Sequence, residues 1–140
     1  MNNKDLKTTA SKNKEIIRNA YTEINNGNYE PFISILDENF KLTCPGSLPL
    51  SGTFVGVQEL TKKFIPIIIN ALEVQPKIII DEMVAEGDFV VMKAHGEGGI
   101  AKNGKEYNNT YCHFMRLKDG KLVESTEYLD TELTRMALEG

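Results

Sequence analysis

Residues able to do chemistry are few in this chain of 140 residues, and their spacing limits what they can do. Cys44 and Cys112 lie far apart with no second Cys or His at ligand spacing, which excludes a CxxC redox pair and a zinc knuckle. No metal and no cofactor is expected, and both thiols read as small buried apolar residues in a reducing compartment. Of the two histidines, His95 stands in Lys93-Ala94-His95-Gly96 with apolar neighbours and is placed at a surface or oligomer face. His113 sits in the aromatic run Tyr111-Cys112-His113-Phe114-Met115. Any catalysis therefore falls to a handful of protonatable side chains working as acids and bases.

Twenty acidic against sixteen basic residues give a net charge of -4, the wrong sign for holding nucleic acid by phosphate neutralisation. The opening segment MNNKDLKTTASKNK is polar and lacks the apolar run of a signal peptide. The longest apolar stretch, 64–69, is far too short to span a bilayer. A cytoplasmic protein without nucleic-acid or membrane partners is expected. With 41% apolar and 26% charged residues, the chain suffices for one domain with its own core.

The elements that must position those groups are legible as periodicities. After a tail over 1–10, Ser11 is a candidate cap for a helix whose apolar face is Ile16, Ile17, Ala20, Tyr21 and Ile24. Asn25-Asn26-Gly27-Asn28 stops it, and Tyr29 to Leu36, with Pro31 in the first turn, forms a second helical segment. Asn39 to Cys44 alternates as a strand before the Pro45-Gly46 turn. A third helix runs from about Val57 to Leu72, and Pro66 is expected to divide it into two halves. Turn signals at 86–88, 102–105 and 118–121 then separate strands over 77–85, 88–98, 106–117 and 121–129. Thr131 to Leu138 is a short helix, with Asp130 its cap, or a loose tail. Helices first and strands afterwards predict an α+β fold in a single domain over 11–140.

This order of elements, and the local words within it, resemble the SnoaL-like and ketosteroid isomerase-like proteins of the nuclear transport factor two superfamily. The matching words are Ile24-Asn25-Asn26-Gly27-Asn28, Ser51-Gly52-Thr53 with Gly56, and Ala85-Glu86-Gly87-Asp88. They continue with Gly104-Lys105-Glu106-Tyr107-Asn108-Asn109-Thr110-Tyr111, Asp119-Gly120-Lys121-Leu122-Val123-Glu124 and Glu127-Tyr128-Leu129-Asp130. The resemblance implies a cone, in which three N-terminal helical segments close a strongly curved, mainly antiparallel sheet around a pocket for a small hydrophobic organic ligand. It also implies a homodimer through the outer sheet face. Functions in the superfamily run from isomerase, cyclase and epoxide hydrolase to trafficking without catalysis, so the fold alone does not choose among them.

Aligned with ketosteroid isomerase, the position of the catalytic base holds Cys44, and the position of the tyrosine holds Ala20, with Tyr21 one step away. A buried thiol is a poor general base at neutral pH, which argues against authentic steroid isomerase activity. The SnoaL-type cyclases resemble the C-terminal half better, and their acid/base pair of a histidine and a carboxylate falls on His113 and Glu127. Hairpin geometry bears on this independently. A three-residue loop at Lys118-Asp119-Gly120 puts His113 opposite Ser125 with Glu127 as its diagonal neighbour, whereas a two-residue Asp-Gly turn brings Cys112 to the Glu127 face. The three-residue loop is preferred and the other stays open.

With His113 inward, alternation brings Tyr107, Asn109, Tyr111 and Met115 inward too. Tyr21, Phe64 and Ser125 complete the expected ligand wall. In the first reading the chain is a cofactor-independent isomerase, cyclase or lyase acting on a hydrophobic carbonyl compound. Glu127 orients His113, which takes the proton, and Tyr111 or Tyr21 donates to the enolate. His113 equally suits packing, and Glu127 a salt bridge to Arg116 or Lys105. A non-catalytic ligand-binding module and a dimeric scaffold with a collapsed pocket are the competing functions.

Overall fold

The apolar stripe Ile16, Ile17, Ala20, Tyr21 and Ile24 lays the first helix, α1 (Asn3–Asn25), against the sheet, with Ile17, Ala20 and Tyr21 buried. A computed structural model describes residues 3–139. The helix is already formed at Asn3, so Ser11 lies within it and does not cap it; Met1 and Asn2 fall outside the described residues. Asn25 ties the end of α1 to strand β4 (Lys77–Glu86), its side chain accepting from Ile78 N and donating to Ile78 O, each at 2.8 Å.

The second helix, α2 (Glu30–Ser34), is shorter than its periodicity predicts. The Ile35 carbonyl accepts from Leu122 N at 2.7 Å, so the chain is already committed to the sheet and β1 (Leu36–Cys44) starts at once. After β2 (Gly52–Val55), the third helical run covers 56–71 in two α-helical halves, α3 (Gly56–Glu59) and α4 (Ile65–Ala71). A π-turn, Leu60–Phe64, joins them, with Ile65 N donating to Leu60 O. Pro66 cannot donate to the Lys62 carbonyl, and the widened turn takes up that missing bond without a break in the helical path.

The main sheet has the order β2-β1-β8-β7-β5-β4, in which β5 is Phe89–Glu97, β7 Thr110–Lys118 and β8 Lys121–Leu129. All its neighbours are antiparallel except β1 and β8, which run parallel. A second, two-stranded sheet pairs β3 (Leu72–Val74) with β6 (Ile100–Ala101). The strand expected over 106–117 begins only at Thr110, because Gly98 and Gly99 end β5 and redirect the chain. Gly98 has a positive φ of 77°, and a Cβ on Gly99 would run into the Tyr107 carbonyl oxygen. Gly99→Ala is therefore expected to destabilise the fold by about 3 kcal/mol, read from urea unfolding midpoints.

Alternation along β5, β7 and β8 sends Val90, Met92, Met115, Leu117 and Leu122 into a core shared with Ile17, Phe40 and Leu42. The outer face instead exposes Val84, Phe89, Phe114 and Tyr128. Cys112 belongs to that outer face and is exposed, contrary to the expectation of a buried thiol, because it alternates with the inward His113. The last helix, α5 (Thr131–Leu138), is capped by Asp130, whose side chain accepts from Leu133 N at 3.1 Å.

Candidate active site

The tip of the β7–β8 hairpin is the two-residue Asp-Gly turn left open as the alternative, not the preferred three-residue loop. Asp119 and Gly120 both have positive φ, 51° and 77°, so the turn is a two-residue type I′ with Lys118 opposite Lys121. Left there, it would put Cys112 on the Glu127 face. A bulge between Arg116 and Leu117, with Val123 the extra residue on β8, then shifts the register by one. Met115, not His113, ends opposite Ser125, and His113 lies directly opposite Glu127. The two are closer than the diagonal arrangement predicted. The sequence holds no strong signal for the bulge, which is why both loop readings missed it.

Three elements now converge. Tyr21 from α1 meets His113 from β7, Oη to Nδ1, at 3.1 Å. Nε2 of the same ring faces Glu127 Oε1 from β8 at 3.7 Å, longer than a hydrogen bond, and is buried without a hydrogen-bond partner among the described residues. The parallel β1–β8 pairing matches Leu42 with Ser125 and Thr43 with Thr126, which brings Cys44 beside Glu127, Sγ to Oε2 at 3.9 Å. Arg116 pairs with Glu124 at 3.8 Å, not with Glu127.

Burial first, then the Glu127 charge and Tyr111, push the Tyr21 hydroxyl well above its ordinary value. The hydroxyl keeps its proton and can donate to Nδ1 or accept from it; with the ring proton on Nε2, toward the Glu127 carboxylate, Tyr21 is the donor. Burial and the Glu127 carboxylate likewise push the Cys44 thiol up, so it remains an S–H donor, not a base. The Tyr111 hydroxyl is also raised, by burial and then by Tyr107 and Glu127, and its ring meets His113 edge-on at 5.8 Å.

A cavity of about 710 Å³ opens onto this chain of groups. Tyr21, Phe64, Tyr107, Tyr111, His113 and Glu127 line it, together with Leu50, Ile68 and Leu72 and, at the polar side, Asn26, Gln75 and Lys77. Met115 and Ser125 do not reach it; they lie in a smaller chamber of about 140 Å³ deeper in the fold. Asn109, expected on the ligand wall, is fully buried elsewhere. Its amide donates to Tyr107 Oη, Asp130 O and Thr134 Oγ1 and accepts from Thr110 N and Asp130 N, so it fastens α5 to the sheet. Sequence reasoning missed Cys44 as a neighbour of Glu127 and the wall residues Leu50, Ile68 and Leu72, because the contacts between distant segments that place them leave no local pattern.

His95 lies on the other face of the sheet, with Nδ1 2.7 Å from Asp81 and Nε2 3.0 Å from Glu97. Its pKa is raised, chiefly by the Asp81 bond and next by Glu97. The stability this adds is fully present below the ordinary histidine pKa of about 6.5 and is lost as pH rises through the raised value. Wild type is expected to lose more stability than His95→Gln between pH 6 and pH 9 in urea titrations.

A mainly antiparallel, strongly curved sheet, closed by N-terminal helices and not into a barrel, with its cavity on the concave side, defines the nuclear transport factor two-like class of α+β proteins. The chain belongs to the SnoaL-like domain family, whose sequence profile matches residues 17–125. An NTF2-like protein of unknown function from Burkholderia pseudomallei K96243 superposes with a TM-score of 0.83 at 20% identity, over 92% of this chain and 98% of that one. A proposed SnoaL-like polyketide cyclase from Jannaschia sp. CCS1 gives 0.76 at 14% identity, covering 94% of each chain. A proposed isomerase from Bacillus subtilis gives 0.74 at 17%, covering 93% and 94%. At these identities the likeness shows the fold. No curated protein matches the sequence. Among the described residues, no helix is long and apolar enough to cross a membrane.

Proposed function

We propose that the protein is a cofactor-independent enzyme that moves a proton on a small hydrophobic carbonyl compound. The observation that carries this is the buried, unpartnered Nε2 of His113 beside Glu127 at the wall of the 710 Å³ cavity. A buried polar atom without a partner costs free energy, and a ligand oxygen placed there would remove that cost. With the imidazole proton on Nε2, the roles run opposite to those expected from the sequence. Nε2–H is a donor, suited to a carbonyl oxygen, while Glu127 is the proton acceptor, its side chain 18% exposed against 6% for His113. Glu127 takes the proton from the carbon next to the carbonyl, and that C–H electron pair moves into the enolate. Nε2–H holds the enolate oxygen, and Glu127 returns the proton to carbon. Tyr21 fixes the ring through Nδ1.

The protein is further proposed to work in the cytoplasm, where its two thiols stay free, and as a homodimer through the exposed Val84, Phe89, Phe114 and Tyr128 of the outer sheet face. The test of function is solvent deuterium uptake at the α-carbon of aryl alkyl ketones, followed by proton NMR. Uptake well above the buffer rate supports the reading. Ketones that bind without any enhanced uptake would leave a ligand-binding module instead.

A further inference from the structure

Beside the main cavity lies the smaller chamber of about 140 Å³, lined by Phe40, Leu42, Leu60, Met115, Leu122 and Ser125 among others. The two spaces share Tyr21, Ile24, Tyr29, Phe64 and Glu127 as common wall. Phe64 is the last residue of the π-turn and is braced edge-on against Phe54 at 5.2 Å, while Tyr21 is held by His113 and packs edge-on against Phe32 at 6.2 Å. The partition is thus built from restrained aromatic rings. Glu127 is the carboxylate among the residues that face both sides.

We propose that the inner chamber is a specificity pocket that receives a short, uncharged apolar arm of the ligand, while the larger part of the ligand occupies the outer cavity. A cavity of about 150 Å³ lined by Leu, Ile and Phe binds benzene, and this chamber has that size with a mostly apolar lining. Of the fourteen residues on its wall ten are apolar, and the polar groups are the Tyr21 and Tyr29 hydroxyls, Ser125 and Glu127. An arm up to the size of a butyl or phenyl group fits; a charged or strongly polar one would lose its hydration without compensation. Because Glu127 marks the boundary, the carbon that loses its proton is the one where the arm joins the carbonyl. The position of that carbon rests on the proton-transfer reading above, whereas the occupancy of the chamber does not.

Benzene titrated into the full-length protein tests the occupancy, read by NMR of the Met115, Leu60 and Leu122 methyl groups. Saturable shifts of these methyls are expected. Ser125→Leu and Ile33→Phe, which fill the chamber from opposite walls, should each weaken benzene at least tenfold while leaving binding of anilinonaphthalene sulfonate, too large for the chamber, unchanged. Having two variants guards against one of them failing to fold. Across naphthyl alkyl ketones, kcat/KM for α-deuteration should rise roughly threefold per added methylene to about four carbons and then fall. Benzene shifts confined to Ile68 and Leu72 of the outer cavity, or an affinity unaltered by both filling substitutions, would overturn the inference. Benzene binding that both substitutions weaken supports the pocket even if no ketone exchanges, in which case only the catalytic reading falls.

Discussion

Glu127→Gln is expected to lower α-proton exchange by about 10²- to 10⁴-fold, the usual contribution of a positioned general base. The change keeps the shape of the side chain, and Cys44 retains an oxygen within reach of its S–H, so the melting temperature should hardly move. His113 supplies the control that separates roles. If His113 donates Nε2–H to the enolate oxygen, His113→Gln, which keeps an N–H donor, should lose less rate than His113→Ala. The alanine variant should fall by about 10²- to 10³-fold, as for removal of one oxyanion donor. If His113 were the base, both of its variants would fall equally far and Glu127→Gln would retain much of the rate. Single-turnover deuterium uptake at saturating ketone, with thermal melts of each variant, distinguishes the two patterns.

Asn109→Ala should be strongly destabilising. The two N–H groups of the fully buried amide are shared among three acceptors and its oxygen accepts from two backbone donors; its loss strands the Thr110 and Asp130 N–H groups, while the Tyr107 and Thr134 hydroxyls keep their mutual bond and Thr134 its bond to the Asp130 carbonyl. At 1–3 kcal/mol for each buried group left unsatisfied, partly relieved by relaxation, the expected cost is about 3 kcal/mol, or roughly 10 °C in melting temperature. Asn109→Asp keeps the two accepted bonds but buries a carboxylate against the Asp130 carbonyl, so it should cost at least as much as the alanine change. Equal stability of wild type and Asn109→Ala would mean that α5 is held by other contacts.

What could be read from the sequence depended on range. The α1 stripe and its stop at Asn25, the Asp130 cap and the β4–β5 meander obey local rules of period and turn chemistry and lie within a few residues of their expected positions, whereas α1 begins well before its expected cap. The pairing of His113 with Glu127 on one face was legible, but through a hairpin geometry that is not the one formed. An Asp-Gly turn and a bulge at Val123 together produce what a single three-residue loop was expected to produce. Asn109 shows the opposite failure. Alternation correctly sends it inward, yet what waits there is α5 from the end of the chain, and nothing near residue 109 announces that partner. The same holds for Pro66, whose missing donor is obvious while the π-turn that accommodates it is not.

The parallel contact between β1 and β8 also governs the order of assembly. Both flanks of the hairpin carrying His113 and Glu127 come from adjacent sequence, so that pair forms at small entropic cost. Residues 36–44 must close a much longer loop to reach 121–129, and only then does Glu127 acquire Cys44 and the inner chamber its Phe40 and Leu42 wall. On a ribosome, β1 waits with one hydrogen-bonding edge open until nearly the whole chain has emerged. The His113–Glu127 pairing is thus expected to form early in folding, and the chamber beside it late.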